Sequence, residues 1–182
     1  VFRTTYASWP PPGLDERSFY LSGDGVLSGE ESGSEGVDRF ANDPDSASED
    51  FFGEAGYELL APTWDLDWTR FAKGDSLAYI TEPFDAATVL GGPAYAELFM
   101  RVPDGDADVQ VTLTMVRPDG TEWLVTSGLL RLSDRAVAES SKGLRVDRTF
   151  SAESSKPMPD GKFESVKVAI PSFAQAFRRG DR

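Results

Sequence analysis

Residues 108–132 constrain the fold more than any other stretch, because Val109, Val111, Leu113 and Met115 alternate with Gln110, Thr112 and Thr114 just ahead of a turn. Strict alternation places the apolar side chains on one face of a pleated strand and the polar ones on the other. The turn is Arg117-Pro118-Asp119-Gly120. Proline presets φ at its first central position, and glycine supplies a left-handed conformation that most residues resist. Glu122 to Leu132 is therefore expected to return antiparallel as the second strand of a hairpin. A hairpin with one apolar face must bury that face against another layer, which points to an all-β, layered architecture.

The same grammar extends across residues 75–135 and recurs near the C-terminus. Leu77-Ala78-Tyr79-Ile80-Thr81 is expected as a strand that ends before Pro83. Gly91-Gly92-Pro93 is expected to break the chain ahead of a strand from Tyr95 to Val102. In that strand Ala96, Leu98, Met100 and Val102 share one face, and Tyr95, Glu97, Phe99 and Arg101 share the other. Residues 163–170 alternate through Val166, Val168 and Ile170, after which Ser172 and Gly180 read as the caps of a brief helical turn. The polar stretch 133–156 has weak periodicity, with a short edge strand expected near Arg145 to Thr149.

Upstream, residues 1–17 form an extended lead-in stiffened by Trp9-Pro10-Pro11-Pro12-Gly13, and Ser18 to Leu21 is expected as a first strand. Residues 22–56 are loop-rich, with Gly, Ser and acidic residues dominating and only Val26-Leu27 suited to pairing. The main strands fall within residues 77–171. A chain of 182 residues suits one sizeable domain better than two small ones. The expectation is a single all-β domain over residues 1–182, a jelly-roll β-sandwich.

Composition excludes more chemistry than it suggests. The chain has no histidine and no cysteine, so it holds neither a Ser-His-Asp triad, a cysteine nucleophile nor a His/Cys metal site. A formal net charge of -13 works against binding nucleic acid or an anionic membrane surface. No leader and no transmembrane run is visible in the first residues, VFRTTYASWPPPG. The absence of cysteine leaves no disulfide framework from which to read a compartment; the cytoplasm is preferred. Because Val1 starts amid what reads as folded sequence, the chain is expected to be a piece of a larger polypeptide or a processed product.

Few residues are candidates for a site. Asp104, Asp106 and Asp108 alternate in a way that could converge on Ca²⁺, though they lack the Gly and distal Glu of an EF-hand loop, and an acidic solvated connection is the simpler reading. No cofactor is expected. Trp9, Trp64, Trp68 and Trp123, with Tyr20, Tyr57, Tyr79 and Tyr95, could form stacking platforms for sugars, but strand aromatics more often anchor cores and interfaces. Trp9, Trp64 and Trp68 are the candidates for a domain-domain contact. The acidic surface by itself suggests a cell-surface or assembly module, and an independent carbohydrate- or calcium-binding sandwich is one of the two main functional readings.

The other comes from the order of motifs. Trp9-Pro10-Pro11 precedes a strand ending Tyr20-Leu21; Leu77-Ala78-Tyr79 leads to Thr81-Glu82-Pro83; and Leu90-Gly91-Gly92-Pro93 precedes Ala96-Glu97-Leu98. Asp108 then opens a strand ending Val116-Arg117-Pro118-Asp119-Gly120, and Thr126-Ser127-Gly128-Leu129-Leu130-Arg131 follows. This series resembles the C-terminal domain of the cocaine esterase / X-prolyl dipeptidyl peptidase family of serine hydrolases. The resemblance implies a galactose-binding-domain-like jelly roll that packs on an α/β-hydrolase domain of the same polypeptide and helps wall its active-site cleft. It carries no catalytic residue onto this chain, since that family's Ser, Asp and His lie upstream in the hydrolase domain. It also implies further strands after Arg182, so that the sandwich is expected to be incomplete at the C-terminus. An unpaired edge there would make a second copy of the chain an expected partner.

Overall fold

The computed structural model of the protein describes residues 5–8, 13–33, 35–41, 43, 74 and 76–182. Among these, regular structure is almost entirely β, with short 3-10 turns and no α-helix. The strands in chain order are β1 (Tyr20–Ser22), β2 (Val26–Ser28), β3 (Thr88–Met100), β4 (Asp108–Val116), β5 (Glu122–Arg131) and β6 (Glu164–Phe177). They pair as β1 with β2, β3 with β6, and β4 with β5. The chain divides into two compact units, one of Val1–Asp85, Val116–Glu122 and Gly180–Arg182, the other of Ala86–Met115 and Trp123–Arg179.

Among the described residues of the first unit, short segments are joined by backbone pairing. β1 and β2 form a small antiparallel ribbon, and Ile80 adds to it by accepting from the Leu27 amide at 2.9 Å and donating to the Gly25 carbonyl at 2.8 Å. The strand expected over 77–81 is thus reduced to an isolated parallel bridge at Ile80. Neighbouring Tyr79 donates to the Asp38 carboxylate at 2.5 Å. Burial of the phenol, then the hydrogen bond and charge of Asp38, push its pKa up to about 12. The turn after β4 forms as expected, with Gly120 at φ +86° and its amide bonded to the Arg117 carbonyl at 2.9 Å. Val116 and Arg182 exchange amide-to-carbonyl bonds, and the buried Asp181 carboxylate meets the Arg117 guanidinium at 2.9 Å.

The second unit is a two-layer β arrangement around an apolar core. Leu130, Leu132, Met158, Val166 and Val168 are buried at its centre, and Leu98, Met100, Val102, Ala107, Val109 and Val111 pack against them. β3 and β6 therefore supply one layer, and the β4–β5 hairpin the other. Each fully buried aliphatic side chain contributes about 1.5–3 kcal/mol by leaving water. The alternation expected in β3 and β4 holds: the even-numbered apolar positions of β3 turn inward, while Phe99 is 72% exposed on the outer face. On that face Glu97 accepts from Ser165 at 2.8 Å and lies opposite Lys167, whose ammonium sits 4.6 Å from the Tyr95 ring centroid.

Two expected boundaries are corrected by a single irregularity. β3 runs through Gly91-Gly92-Pro93 from Thr88, and β6 runs through Pro171 to Phe177 where a helical turn was expected. The register pairs Gly92 with Phe173 and Ala94 with Ile170, so Pro93 faces Pro171 and Ser172 across a bulge. A proline has no amide to give to a ladder, and a bulge is where its lack is tolerated. Both prolines fall in that window, which lets each strand continue past it. The helix-forming residues Ala174, Gln175 and Ala176 are consequently drawn into pairing with Gly91, Leu90 and Val89.

Two further contacts join the layers and tether the long connection. At Gly128 in β5, an added Cβ would stand 2.0 Å from the Ala169 carbonyl oxygen of β6, so only glycine permits this approach. Between β5 and β6 the chain makes an irregular excursion in which the expected edge strand near 145–149 is reduced to isolated bridges, Val137 with Arg148 and Lys142 with Arg145. The excursion is fixed by Arg135. Its guanidinium binds Glu164 through Nε at 2.9 Å and Nη2 at 3.1 Å, and also donates to the carbonyls of Leu132, Lys156 and Pro157.

Gly128→Ala is expected to lower the unfolding free energy by about 3 kcal/mol, the upper part of the range for overpacking. Gly91→Ala, whose Cβ would meet the Phe173 carbonyl oxygen at 3.1 Å, is expected to be close to neutral. Urea midpoints of the two variants measure the contrast, and equal shifts would contradict the close approach at Gly128. Arg135→Lys keeps the charge but loses the fork, and is expected to lower stability by about 2 kcal/mol. The same titration checks it.

Candidate functional site

The acidic motif between β3 and β4 is held by the chain's own groups. Asp106 Oδ1 accepts from the amides of Ala107 at 3.0 Å and Ser133 at 2.8 Å, tying this loop to the end of β5. Burial acts to raise the Asp106 pKa, but the hydrogen bonds from Ser133 and Ala107 and the charge of Arg131 outweigh it, leaving the carboxyl below its usual range. Arg131 Nε lies 3.0 Å from Asp108 Oδ1 and 3.6 Å from Asp106 Oδ2. A guanidinium thus stands where a cation shared by these acids would sit. Asp104 is exposed beside them. Among the described residues no group of three or more acidic side chains is placed to hold a metal ion.

The aromatic candidates are dispersed in role. Trp9, Trp64 and Trp68, together with Tyr57, lie outside the described residues. Tyr79 is committed to Asp38, and Tyr95 is covered by the Lys167 ammonium. Trp123 projects from β5 and is 57% exposed. No helix among the described residues is long and apolar enough to cross a membrane.

A feature of a different kind lies in the second unit, where the end of β5 passes the excursion at residues 146–150. There a pocket of about 320 Å³ is lined by Leu129, Val146, Arg148, Phe150 and Asp134 among others. Leu129 is 71% exposed and Phe150 77% exposed, so the rim is apolar. Arg148 donates through Nη1 to the Arg135 carbonyl, while its Nη2 is shielded from solvent and has no acceptor. Desolvation draws the pKa of this guanidinium below its ordinary value.

Phe150 is held outward by its neighbours. Its φ is +46°, a left-handed conformation that costs a non-glycine residue about 1–2 kcal/mol. Thr149 and Ser151 each hydrogen-bond to the Ser154 hydroxyl, at 2.5 and 3.2 Å, clamping the chain on both sides of the phenylalanine. Sequence reasoning overlooked this place. The signal was present in Gly128-Leu129-Leu130, where two adjacent leucines on a strand cannot both face the core.

Comparison with known proteins places the chain. The family model for the X-Pro dipeptidyl-peptidase C-terminal non-catalytic domain matches residues 2–182. An aminopeptidase from the marine sediment archaeon Thaumarchaeota archaeon is similar in structure over 97% of this chain and 29% of its own, with TM-score 0.71 and 21% identity. A CocE/NonD family hydrolase from Staphylococcus aureus is similar over 56% of this chain and 20% of its own, with TM-score 0.51 and 20% identity. At such identities the likeness is one of fold, and this chain spans less than a third of either structure. No curated protein sequence matches it significantly. The match over nearly every residue, on an all-β chain without histidine or cysteine, shows that the protein belongs to the family of X-Pro dipeptidyl-peptidase C-terminal non-catalytic domains.

Proposed function

We propose that residues 1–182 are one accessory domain of a serine hydrolase of the X-Pro dipeptidyl-peptidase or acyl esterase type. In this reading the domain packs on an α/β-hydrolase domain in the same polypeptide and helps to shape its active-site cleft. The observation that carries it is the family match across residues 2–182, described as non-catalytic. Composition supports it independently: with no histidine, the chain lacks the usual base for activating a serine. Asp106 and Arg135 tie loops to the ends of β5 and β6, as a buttress requires. Trp9, Trp64 and Trp68 are proposed to contribute to the contact with the hydrolase domain.

The test compares the whole polypeptide with this chain alone, using an X-Pro dipeptidyl amide and a short-chain acyl ester. Hydrolysis of one or both is expected of the whole polypeptide, and none of the isolated chain. Turnover by the chain alone that stays constant through purification to homogeneity would overturn the reading.

A further inference from the structure

We propose that Asp24 is a site of spontaneous covalent modification, where the Gly25 amide closes on the Asp24 side chain and the residue is converted to isoaspartate. Asp24 and Gly25 lie in the turn between β1 and β2. Glycine has no Cβ to shield its nitrogen, which leaves it free to approach the carboxyl carbon of the residue before it. In the reaction the Gly25 nitrogen bonds to Asp24 Cγ, and the amide hydrogen and the carboxyl hydroxyl leave together as water. Water then cleaves the bond between the Asp24 carbonyl carbon and the Gly25 nitrogen. The main chain now runs through Cβ and Cγ, and the old carbonyl becomes a free carboxylate. The mass is unchanged, and no other reactant is needed.

The same pair occurs at Asp104-Gly105, Asp119-Gly120 and Asp160-Gly161, and the fold separates the four. Asp119 is locked: its Oδ1 accepts from the Thr121 amide at 2.9 Å, and the Gly120 amide that would attack donates to the Arg117 carbonyl at 2.9 Å. The hydrogen bonds from Thr121 also hold the Asp119 carboxyl below its usual range, in the ionised form from which water does not readily leave. Asp24 is exposed, and its carboxylate has no hydrogen bond or ion pair among the described residues. It is also held at φ 60° and ψ 25°, and Phe150 is the only other described non-glycine residue at positive φ. This left-handed conformation sets Cβ against the carbonyl oxygen that follows it, and closing the ring rotates the residue out of that clash. Asp104 and Asp160 lack this strain.

The turn itself imposes the reactive pair. Gly25 has φ +73°, and an added Cβ would stand 2.9 Å from the Ala78 carbonyl oxygen, so no bulkier residue can take its place and shield the amide. The Gly25 carbonyl accepts from the Ile80 amide at 2.8 Å, one of the two bonds that join Ile80 to the ribbon. An extra backbone atom between the paired residues Ser22 and Val26 displaces that carbonyl.

Ageing of the whole polypeptide in mildly acidic buffer tests this, with isoaspartate located by peptide mapping after labelling with an isoaspartyl methyltransferase. The peptide carrying Asp24 is expected to accumulate label several-fold faster than those carrying Asp104, Asp119 or Asp160. Hydrogen exchange at the Ile80 amide is expected to quicken several-fold in the aged fraction. Asp24→Glu, which would need a larger ring, is expected to remove the label from its peptide while the circular dichroism spectrum is unchanged. Asp24→Asn closes the same ring with loss of ammonia, and is expected to convert several-fold faster than Asp24 isomerises, which keeps the test decisive if Asp24→Glu misfolds. Label at Asp24 no faster than at the other three sites would overturn the proposal, as would an Asp24→Asn protein that keeps its amide through the same ageing. Label that appears only in a urea-unfolded sample would overturn it as well, since the reaction would then owe nothing to the turn.

Discussion

The close passage of β5 over β6 at Gly128 is the contact on which the second unit depends. With the Ala169 carbonyl only 2.0 Å from where a Cβ would stand, the two layers meet backbone to backbone. That approach lets Leu130 and Leu132 reach Val166 and Val168 in one buried cluster. A bulkier residue at this place would push the hairpin away from β6 and open the core, whose packing loses favourable contacts with every small gap. The position of Leu129 follows from the same passage, since with Leu130 committed inward its neighbour must face out.

The long connection between β5 and β6 shows how a chain with little regular structure can still be fixed. It lacks a continuous ladder, so its backbone groups must find partners elsewhere. Arg135 provides several of them at once, satisfying three carbonyls while its fork is neutralised by Glu164. Arg148 and the serine clamp then set the shape of residues 146–154. The irregular connection is thus tied down by side-chain hydrogen bonds rather than by a ladder.

What could be read from sequence and what could not divide along a physical line. The faces of β3 and β4 and the turn at Pro118-Gly120 were legible because alternation and turn chemistry are local. The course of β3 and β6 past Pro93 and Pro171 was not, because a bulge depends on two segments nearly 80 positions apart meeting in register. Ser172-Phe173-Ala174-Gln175-Ala176-Phe177 reads as helix by propensity, and only its pairing with residues 88–92 makes it strand. For the site, the resemblance in motif order led to the family. Arg135, Arg148 and Phe150 stayed hidden, because their importance lies in partners up to 29 residues away and in a backbone angle that composition does not reveal.

In the function proposed above, this chain supplies structure to a hydrolase whose chemistry lies in another part of the polypeptide. The most direct measurement is to label the whole polypeptide with a serine-reactive fluorophosphonate and map the modified residue by peptide mass spectrometry. A single labelled serine is expected outside these 182 residues, within a Gly-x-Ser-x-Gly sequence. A labelled serine within them, at Ser127 for example, would contradict it.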